Sequence, residues 1–268
     1  MSLSGFLIRM NRTEIESELS SLPLGAFRYF DTIGSTNDEA LAWASQSAPD
    51  FSLILADEQT SGRGRMERKW FTPPGAALAL SLILRPTNIE NAHPSRTTGL
   101  LALSLAESLL QLGLAPQIKW PNDVLLGGRK VAGILVESSW MGERLDAMIL
   151  GMGVNVLNAS IPPADQLLFP ATSIETELGR PVERGSLLRE ILSRVLDWRP
   201  KMGMDTFLKA WEEHLAFRGQ QVQVEGRSGD PITGELLGLE PDGSLRLRNE
   251  HGRSVTVRFG EVHLRPLA

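Results

Sequence analysis

The chain has 268 residues, 42% apolar and 22% charged, and its 27 Lys and Arg against 32 Asp and Glu give a formal charge of −5. This is ordinary globular composition, enough for one large domain or a large and a small one, without the net basic character of a nucleic-acid binder. The absence of cysteine excludes disulfides, thiolate zinc sites, iron–sulfur clusters and thiol nucleophiles. His93, His214, His251 and His263 include no pair at metal-ligand spacing. No apolar run is long enough to span a membrane, and residues 1–19 lack the apolar length and cleavage site of a signal peptide, so a cytoplasmic protein is expected.

In chain order, residues 13–22 predict a short helix with Ile15, Leu19 and Leu22 on one side and Pro23 ending it. Residues 27–30 read as a strand, and Ser35, Thr36 and Asn37 offer caps for a helix reaching about Gln46. A buried strand over 53–56 leads into 59–70, a polar stretch with glycines and no apolar period, hence a loop. The almost continuous apolar run 76–84 suits a central strand covered on both faces. Residues 95–112 form a helical pattern on Leu100, Leu103, Ala106 and Leu110. Strands follow through 117–156, with Gly127-Gly128 turning between 123–126 and 129–138. Helices are predicted over 186–197 and 204–216. From about Phe217 short alternating segments separated by glycine-bearing turns read as a small all-β module, with seven Arg balanced by seven Asp or Glu. The expected division is therefore 1–216 and 217–268.

Three segments carry chemical information. The loop Gln59-Thr-Ser-Gly-Arg-Gly-Arg-Met-Glu-Arg-Lys-Trp70 puts Arg63, Arg65, Arg68 and Lys69 beside two glycines. Glycines let backbone N–H groups approach an anion, and arginines contact phosphate or carboxylate bidentately. On its own it reads as a polyanion site or a solvated basic loop. The segment Lys119-Trp-Pro-Asn-Asp123 enters a hairpin whose return strand starts near Lys130, so Lys130 is expected near the Asn122–Asp123 end. In Ile149-Leu-Gly-Met-Gly-Val-Asn155, Gly151 and Gly153 interrupt an apolar strand, consistent with a bulge or a close approach by a ligand or backbone.

Together, GRGR…RKW, KWPND followed by K-x-x-G-I-L-x-E, and G-x-G-x-N, with Ser35-Thr36-Asn37 upstream, resemble the biotin protein ligases from about Asp31 to Asn155. The resemblance implies an α+β fold: a mixed sheet flanked by helices, like that of class II aminoacyl-tRNA synthetases, with a C-terminal SH3-like barrel. It implies activation of biotin by ATP and Mg²⁺ to biotinyl-5′-AMP, then transfer to a lysine of a biotin carboxyl carrier protein, usually that of acetyl-CoA carboxylase. Under it, Arg63, Arg65 and Lys130 screen the reacting anions and Asp123 orients or deprotonates the acceptor lysine. Biotin contacts fall to Ser35, Thr36, Asn37, Gln59, Gly62, Arg63, Lys130, Gly133 and Gly151. Adenylate contacts fall to Arg65, Arg68, Trp70, Asn122, Lys130 and Asn155.

The family loop usually has glycine where this chain has Glu67. Some relatives carry an N-terminal DNA-binding domain; the short stretch before Asp31 implies a ligase without DNA binding, monomeric or homodimeric. Residues 158–169 correspond to a segment that closes over the adenylate or to a static connection. A lipoate-type ligase and a degenerate biotin-binding module are the alternatives.

Overall fold

Ser52–Ala56 and Ala77–Leu84 are buried along their whole lengths, so both need strand neighbours on each edge and packed layers on each face. In the computed structural model, which describes residues 10–167, 169–225, 231–258 and the backbone of 265–266, they are β2 and β3 of a seven-stranded sheet. The helices and strands before and between them are α1 (Arg12–Leu19), β1 (Phe27–Phe30) and α2 (Thr36–Ser45). After β3 come α3 (Asn88–Ala92), α4 (Arg96–Gln111), β4 (Pro116–Lys119), β5 (Asp123–Leu126), β6 (Arg129–Met141) and β7 (Arg144–Asn155). The sheet order is β1-β2-β3-β7-β6-β5-β4. Only β1 and β2 run parallel; every other neighbouring pair is antiparallel. Gly127 and Gly128, at φ of 54° and 72°, make the tight β5–β6 turn, a conformation other residues adopt at a cost.

Helices α5 (Ile174–Leu178), α6 (Arg184–Trp198) and α7 (Asp205–Glu213) follow the sheet. Leu100, Leu101 and Leu105 of α4 and Leu188, Ile191 and Leu192 of α6 are fully buried in the main core with Leu78, Leu80 and Leu82 of β3. On the opposite face Ala40, Trp43 and Ala44 of α2 meet Ile54, Ile83, Ala147 and Ile149. Gly151 and Gly153 continue that second face along β7, where the two-residue period of a strand places them. The buried Arg184–Asp57 pair, 2.9 Å apart, fixes the start of α6 to the end of β2.

The second sheet is five-stranded and antiparallel, built from β8 (Gln221–Val224), β9 (Ile232–Leu239), β10 (Leu245–Arg248), β11 (Ser254–Val257) and β12 (Arg265–Pro266) in the order β11-β10-β9-β8-β12. This is the mixed sheet with flanking helices and small β module expected from the sequence. Helix ends differ: the 13–22 helix starts one residue earlier and stops three earlier, at Arg12–Leu19, and the 204–216 helix is shorter at both ends, Asp205–Glu213. The N-terminal apolar stretch before residue 10, Leu168, and the end of the last barrel segment at 259–262 lie outside the described residues.

Candidate active site

Pairing across the sheet puts the site's floor in two rows. Asp123, Gly133, Gly153 and Ala79 are successive partners across β5, β6, β7 and β3; Leu135, Gly151 and Ser81 form the next row but one. Over this floor opens a cavity of about 210 Å³. Six cationic side chains line it (Arg63, Arg65, Arg68, Lys69, Lys119 and Lys130) and one acidic one, Asp123. In a chain of net charge −5, that concentration of positive charge makes the cavity a receptor for anions.

At one end, the cavity is walled by α2. The backbone N–H of Thr36, at the first turn of that helix, donates to Gln59 Oε1 at 2.9 Å, so a loop side chain satisfies a helix-terminal donor that needs a partner. Gln59 Nε2 donates to Thr72 Oγ1 at 3.1 Å. Ser35 is the N-cap by backbone conformation but makes no side-chain cap bond. Ser35, Thr36 and Asn37 are all buried. Gly62 does not line the cavity; a Cβ there would sit 2.4 Å from the Trp70 carbonyl oxygen. Its part is to let the two limbs of the loop close, with Trp70 N–H donating to Gly62 O at 2.8 Å.

The glycines of the floor are approached by the protein's own side chains. A Cβ on Gly151 would lie 2.1 Å from Asn37 Oδ1, and one on Gly153 would lie 2.1 Å from Trp70 Nε1. Gly133 lies under the far edge of the same indole and under Lys130 Nζ. Gly133 and Gly151, expected to offer backbone to biotin, thus seat Trp70 and Asn37, because a flat side chain can rest only where no Cβ projects. The indole nitrogen of Trp70 is buried without a hydrogen-bond partner among the described residues.

At the other end Lys130 Nζ is 2.7 Å from Asp123 Oδ1 and 5.5 Å from the centre of the Trp70 ring. Arg65 Nη1 donates to Asn122 Oδ1 at 3.3 Å, while Asn122 Nδ2 donates to Ile134 O at 3.1 Å. Asn155 Nδ2 donates to Thr172 O at 3.2 Å. Lys119 lines the cavity, almost fully buried, with its ammonium 4.2 Å from the face of Phe169. Sequence reasoning passed over Lys119; Ile118 and Lys119 are adjacent and both buried at the end of β4, which becomes visible only once the strand is placed.

Arg63 lines the cavity and is paired within the chain. Its Nη1 and Nη2 donate to the two carboxylate oxygens of Glu137 at 3.0 and 2.7 Å, and Nη2 also reaches Asp38 Oδ1 at 2.7 Å. The hydrogen bonds it donates to Glu137, outweighing the opposing effect of burial, hold the guanidinium above its ordinary pKa. Its charge thus meets two carboxylates of its own chain, as that of Lys130 meets Asp123.

Glu67 lies outside the cavity lining and adopts φ of 57°, beside Met66 at 52°. The left-handed backbone at this position is the reason a glycine suits it. The departure from the usual loop is therefore a conformational one, with the carboxylate exposed.

The covering segment contains two short 3₁₀ turns, Asn158–Ser160 and Ala164–Gln166, and Ser160, Pro162, Gln166, Leu167 and Phe169 line the cavity. Just beyond it, Lys130 N–H donates to Pro170 O at 2.8 Å and Thr172 N–H to Lys130 O at 2.9 Å.

A mixed sheet with an anion-receiving cavity and an appended small barrel defines the chain's class, and comparison with known proteins places it. Residues 29–155 match the biotin/lipoate A/B protein ligase family, and residues 217–265 match the biotin protein ligase C-terminal domain. The biotin–[acetyl-CoA-carboxylase] ligase of Paracoccus denitrificans is 36% identical over 233 residues, covering 82% of this chain and 93% of that one. The bifunctional ligase/repressor BirA of Bacillus spizizenii is 32% identical over 250 residues, covering 91% of this chain and 76% of that one. Among solved structures, the biotin protein ligase from Aquifex aeolicus in complex with biotin and ATP superposes with a TM-score of 0.78 at 28% identity, covering 90% and 99% of the two chains. The chain belongs to the biotin protein ligase family.

Proposed function

We propose that this chain joins biotin to ATP, forming biotinyl-5′-AMP and pyrophosphate, and then transfers the biotinyl group to a lysine of a biotin carboxyl carrier protein. The observation that carries this reading is the cavity itself: Lys130 beside Asp123 and Arg65 beside Asn122 at one end, and the buried Ser35, Thr36 and Asn37 at the other. A biotin molecule has that polarity, with a neutral ureido ring at one end and a carboxylate at the other.

Activation brings a carboxylate against an α-phosphate, and the like charges must be neutralised before the oxygen can attack phosphorus. Lys130 and Arg65 supply that field from fixed positions, Lys130 held by Asp123 and Arg65 by Asn122. Arg68 and Trp70 complete the adenylate end, with Asn155 fixed by its bond to Thr172 O. The ureido ring belongs at Ser35, Thr36, Asn37 and Gln59, with Gly133 and Gly151 beneath. In the second half-reaction the acceptor lysine attacks the acyl carbon and AMP leaves. Asp123, the only acid lining the cavity among the described residues, orients that lysine and accepts its proton. Residues 158–169 cover the adenylate and keep water from the mixed anhydride.

The described residues contain no group of three His, Cys, Asp or Glu side chains that could hold a metal. This donor set fits a Mg²⁺ ion held by the nucleotide's phosphates, with Asp123 the carboxylate available to it; when bound it would shield phosphate charge. On this reading 1–216 form the catalytic unit and 217–268 the barrel.

The test is biotin-dependent pyrophosphate release with ATP and Mg²⁺, read beside the mass of a biotin carboxyl carrier domain. A gain of one biotinyl group is expected, with lipoate giving none. Pyrophosphate release without carrier modification would remove the acceptor assignment, and no release from folded protein would remove the activation step.

A further inference from the structure

Residues 170–172 run beside Lys130 where β7 has run out. Pairing between β6 and β7 reaches Ala132 and Val154; beyond it Lys130 forms a parallel bridge with Ala171. The N–H of Lys130 goes to Pro170 O, and its carbonyl accepts from Thr172 N–H. The β5–β6 register also slips across Val131, the next residue. A strand is least fixed by its ladder at such a point, so the backbone on its other edge matters most there.

Thr172 sends each of its polar groups to a different element. Its N–H meets Lys130 on β6, its carbonyl accepts from Asn155 Nδ2 at the end of β7, and its hydroxyl donates to Glu177 Oε1 on α5. The same Oε1 accepts from Arg129 Nη2 at 2.5 Å. Arg129 precedes Lys130 at the β5–β6 turn, and a Cβ on Gly127 of that turn would lie 3.6 Å from Glu177 Oε2. Helix α5 is itself fixed, with Ile174 fully buried and Glu175 N–H donating to Val156 O at 3.0 Å. Neither Thr172 nor Glu177 lines the cavity. One carboxylate oxygen on a fixed platform thus draws together the turn on one side of Lys130 and the segment bonded to its backbone on the other.

We propose that Glu177 is a positioning residue for the activation step: through Thr172 and Arg129 it holds Lys130 against Asp123 and Asn155 at the nucleotide end. The inference rests on the proposed activation of biotin and names what keeps two of its groups in place. Lys130 Nζ meets Asp123 at 2.7 Å, and a backbone shift of a fraction of an ångström would carry its charge away from where charge develops on phosphorus. Both donors converge on one oxygen, so a glutamine carbonyl there can accept both bonds, whereas alanine accepts neither.

The experiment compares wild type with Glu177→Ala, Glu177→Gln, Thr172→Val and the Glu177→Ala/Thr172→Val double variant. Biotin-dependent pyrophosphate release is measured beside thermal unfolding, and the rate at which an amine-reactive ester acylates Lys130 is read by peptide mass. Glu177→Ala should lower kcat for pyrophosphate release about tenfold, with KM for biotin within about twofold of wild type. It should also raise the acylation rate of Lys130 about threefold as its pairing with Asp123 loosens. Glu177→Gln should recover most of both changes. Thr172→Val should lower kcat as well, and the double variant should lose less than the product of the two single losses. A folded Glu177→Ala chain with wild-type kcat and wild-type Lys130 acylation overturns the role of Glu177. So does a Gln variant as impaired as Ala, or a lowered melting temperature with kinetics unchanged. A wild-type chain that releases no pyrophosphate with biotin overturns the reading beneath it, while the acylation comparison still decides whether Glu177 places Lys130.

Discussion

Trp120 donates its indole N–H to the carbonyl of Gly243 at 2.9 Å, joining the segment that carries Lys119, Asn122 and Asp123 to the turn between two strands of the small barrel. The turn is held from a second side, where Arg96 Nε donates to Pro241 O at 2.9 Å and Arg96 Nη1 to Met202 O at 2.6 Å. Trp120→Phe keeps an aromatic ring, deletes the donor with the pyrrole half of the indole, and leaves a buried carbonyl unpaired. A loss of about 1–3 kcal/mol is expected in the denaturant midpoint, with a raised KM for ATP. An unchanged midpoint would show that the barrel contact carries no stability.

Asp123 sits in an ion pair with Lys130 on the same row of the sheet as Gly133 and Gly153. Asp123→Asn should leave biotin-dependent pyrophosphate exchange within about tenfold of wild type while lowering transfer to the carrier about 100-fold. Equal loss in both half-reactions would make Asp123 a partner of Lys130 and nothing more.

Gly153→Ala places a methyl group where the Trp70 indole lies. The ring must swing off the floor, so tryptophan emission should shift and KM for ATP should rise about tenfold, with kcat less affected. Unaltered emission and KM would mean that the indole position is not tied to nucleotide binding.

The left-handed backbone at Glu67 separates two substitutions at one exposed site. Glu67→Gly should leave biotin and ATP kinetics unchanged, since the carboxylate lies outside the cavity lining. Glu67→Val, β-branched at φ of 57°, should cost about 1–2 kcal/mol in loop geometry and raise KM for biotin. If both behave as wild type in kinetic assays, the loop does not need this conformation.

Glu90 gives a pH dependence unrelated to catalysis. Burial pushes its carboxyl up, but bonds from Thr87 and from Arg199 Nε, the latter at 2.5 Å, outweigh it and hold the pKa below its ordinary 4.5. A carboxyl depressed in the folded state contributes stability that is complete above the unfolded value and is lost as pH falls through the folded one. Glu90→Gln should cost about 3 kcal/mol at neutral pH, and the gap from wild type should narrow on acidification below about pH 4.5. A gap constant with pH would remove the ionised pair from the account.

Strands β2 and β3, helix α4 and the β5–β6 hairpin were legible because each is encoded by local period and turn chemistry: Leu78 to Leu84 as an apolar run interrupted only by Ser81, Gly127-Gly128 as a left-handed pair. Helix α3, with only five residues, is too short to show a period, and its capping box at Thr87 and Glu90 was the signal available. The site residues sharing a motif could be gathered in sequence, but their partners could not. Glu137 lies 74 residues from Arg63 and 100 from Asn37; strand pairing alone brings them together. The same holds for the glycines: Gly151 and Gly153 announce that something comes close, while the identity of the visitor, Asn37 or Trp70, is a property of the assembled sheet.

The segment that covers the cavity is pinned at both feet. At its start Leu157 N–H donates to Ala76 O at 2.9 Å; past its end Lys130 exchanges two backbone bonds with Pro170 and Thr172. A strip anchored this way can rise and flatten like an arch but cannot peel back like a flap. Under the proposed function, small molecules would pass beneath its span and the acceptor lysine would reach the acyl carbon through the same opening, which favours a side chain borne on a narrow protrusion.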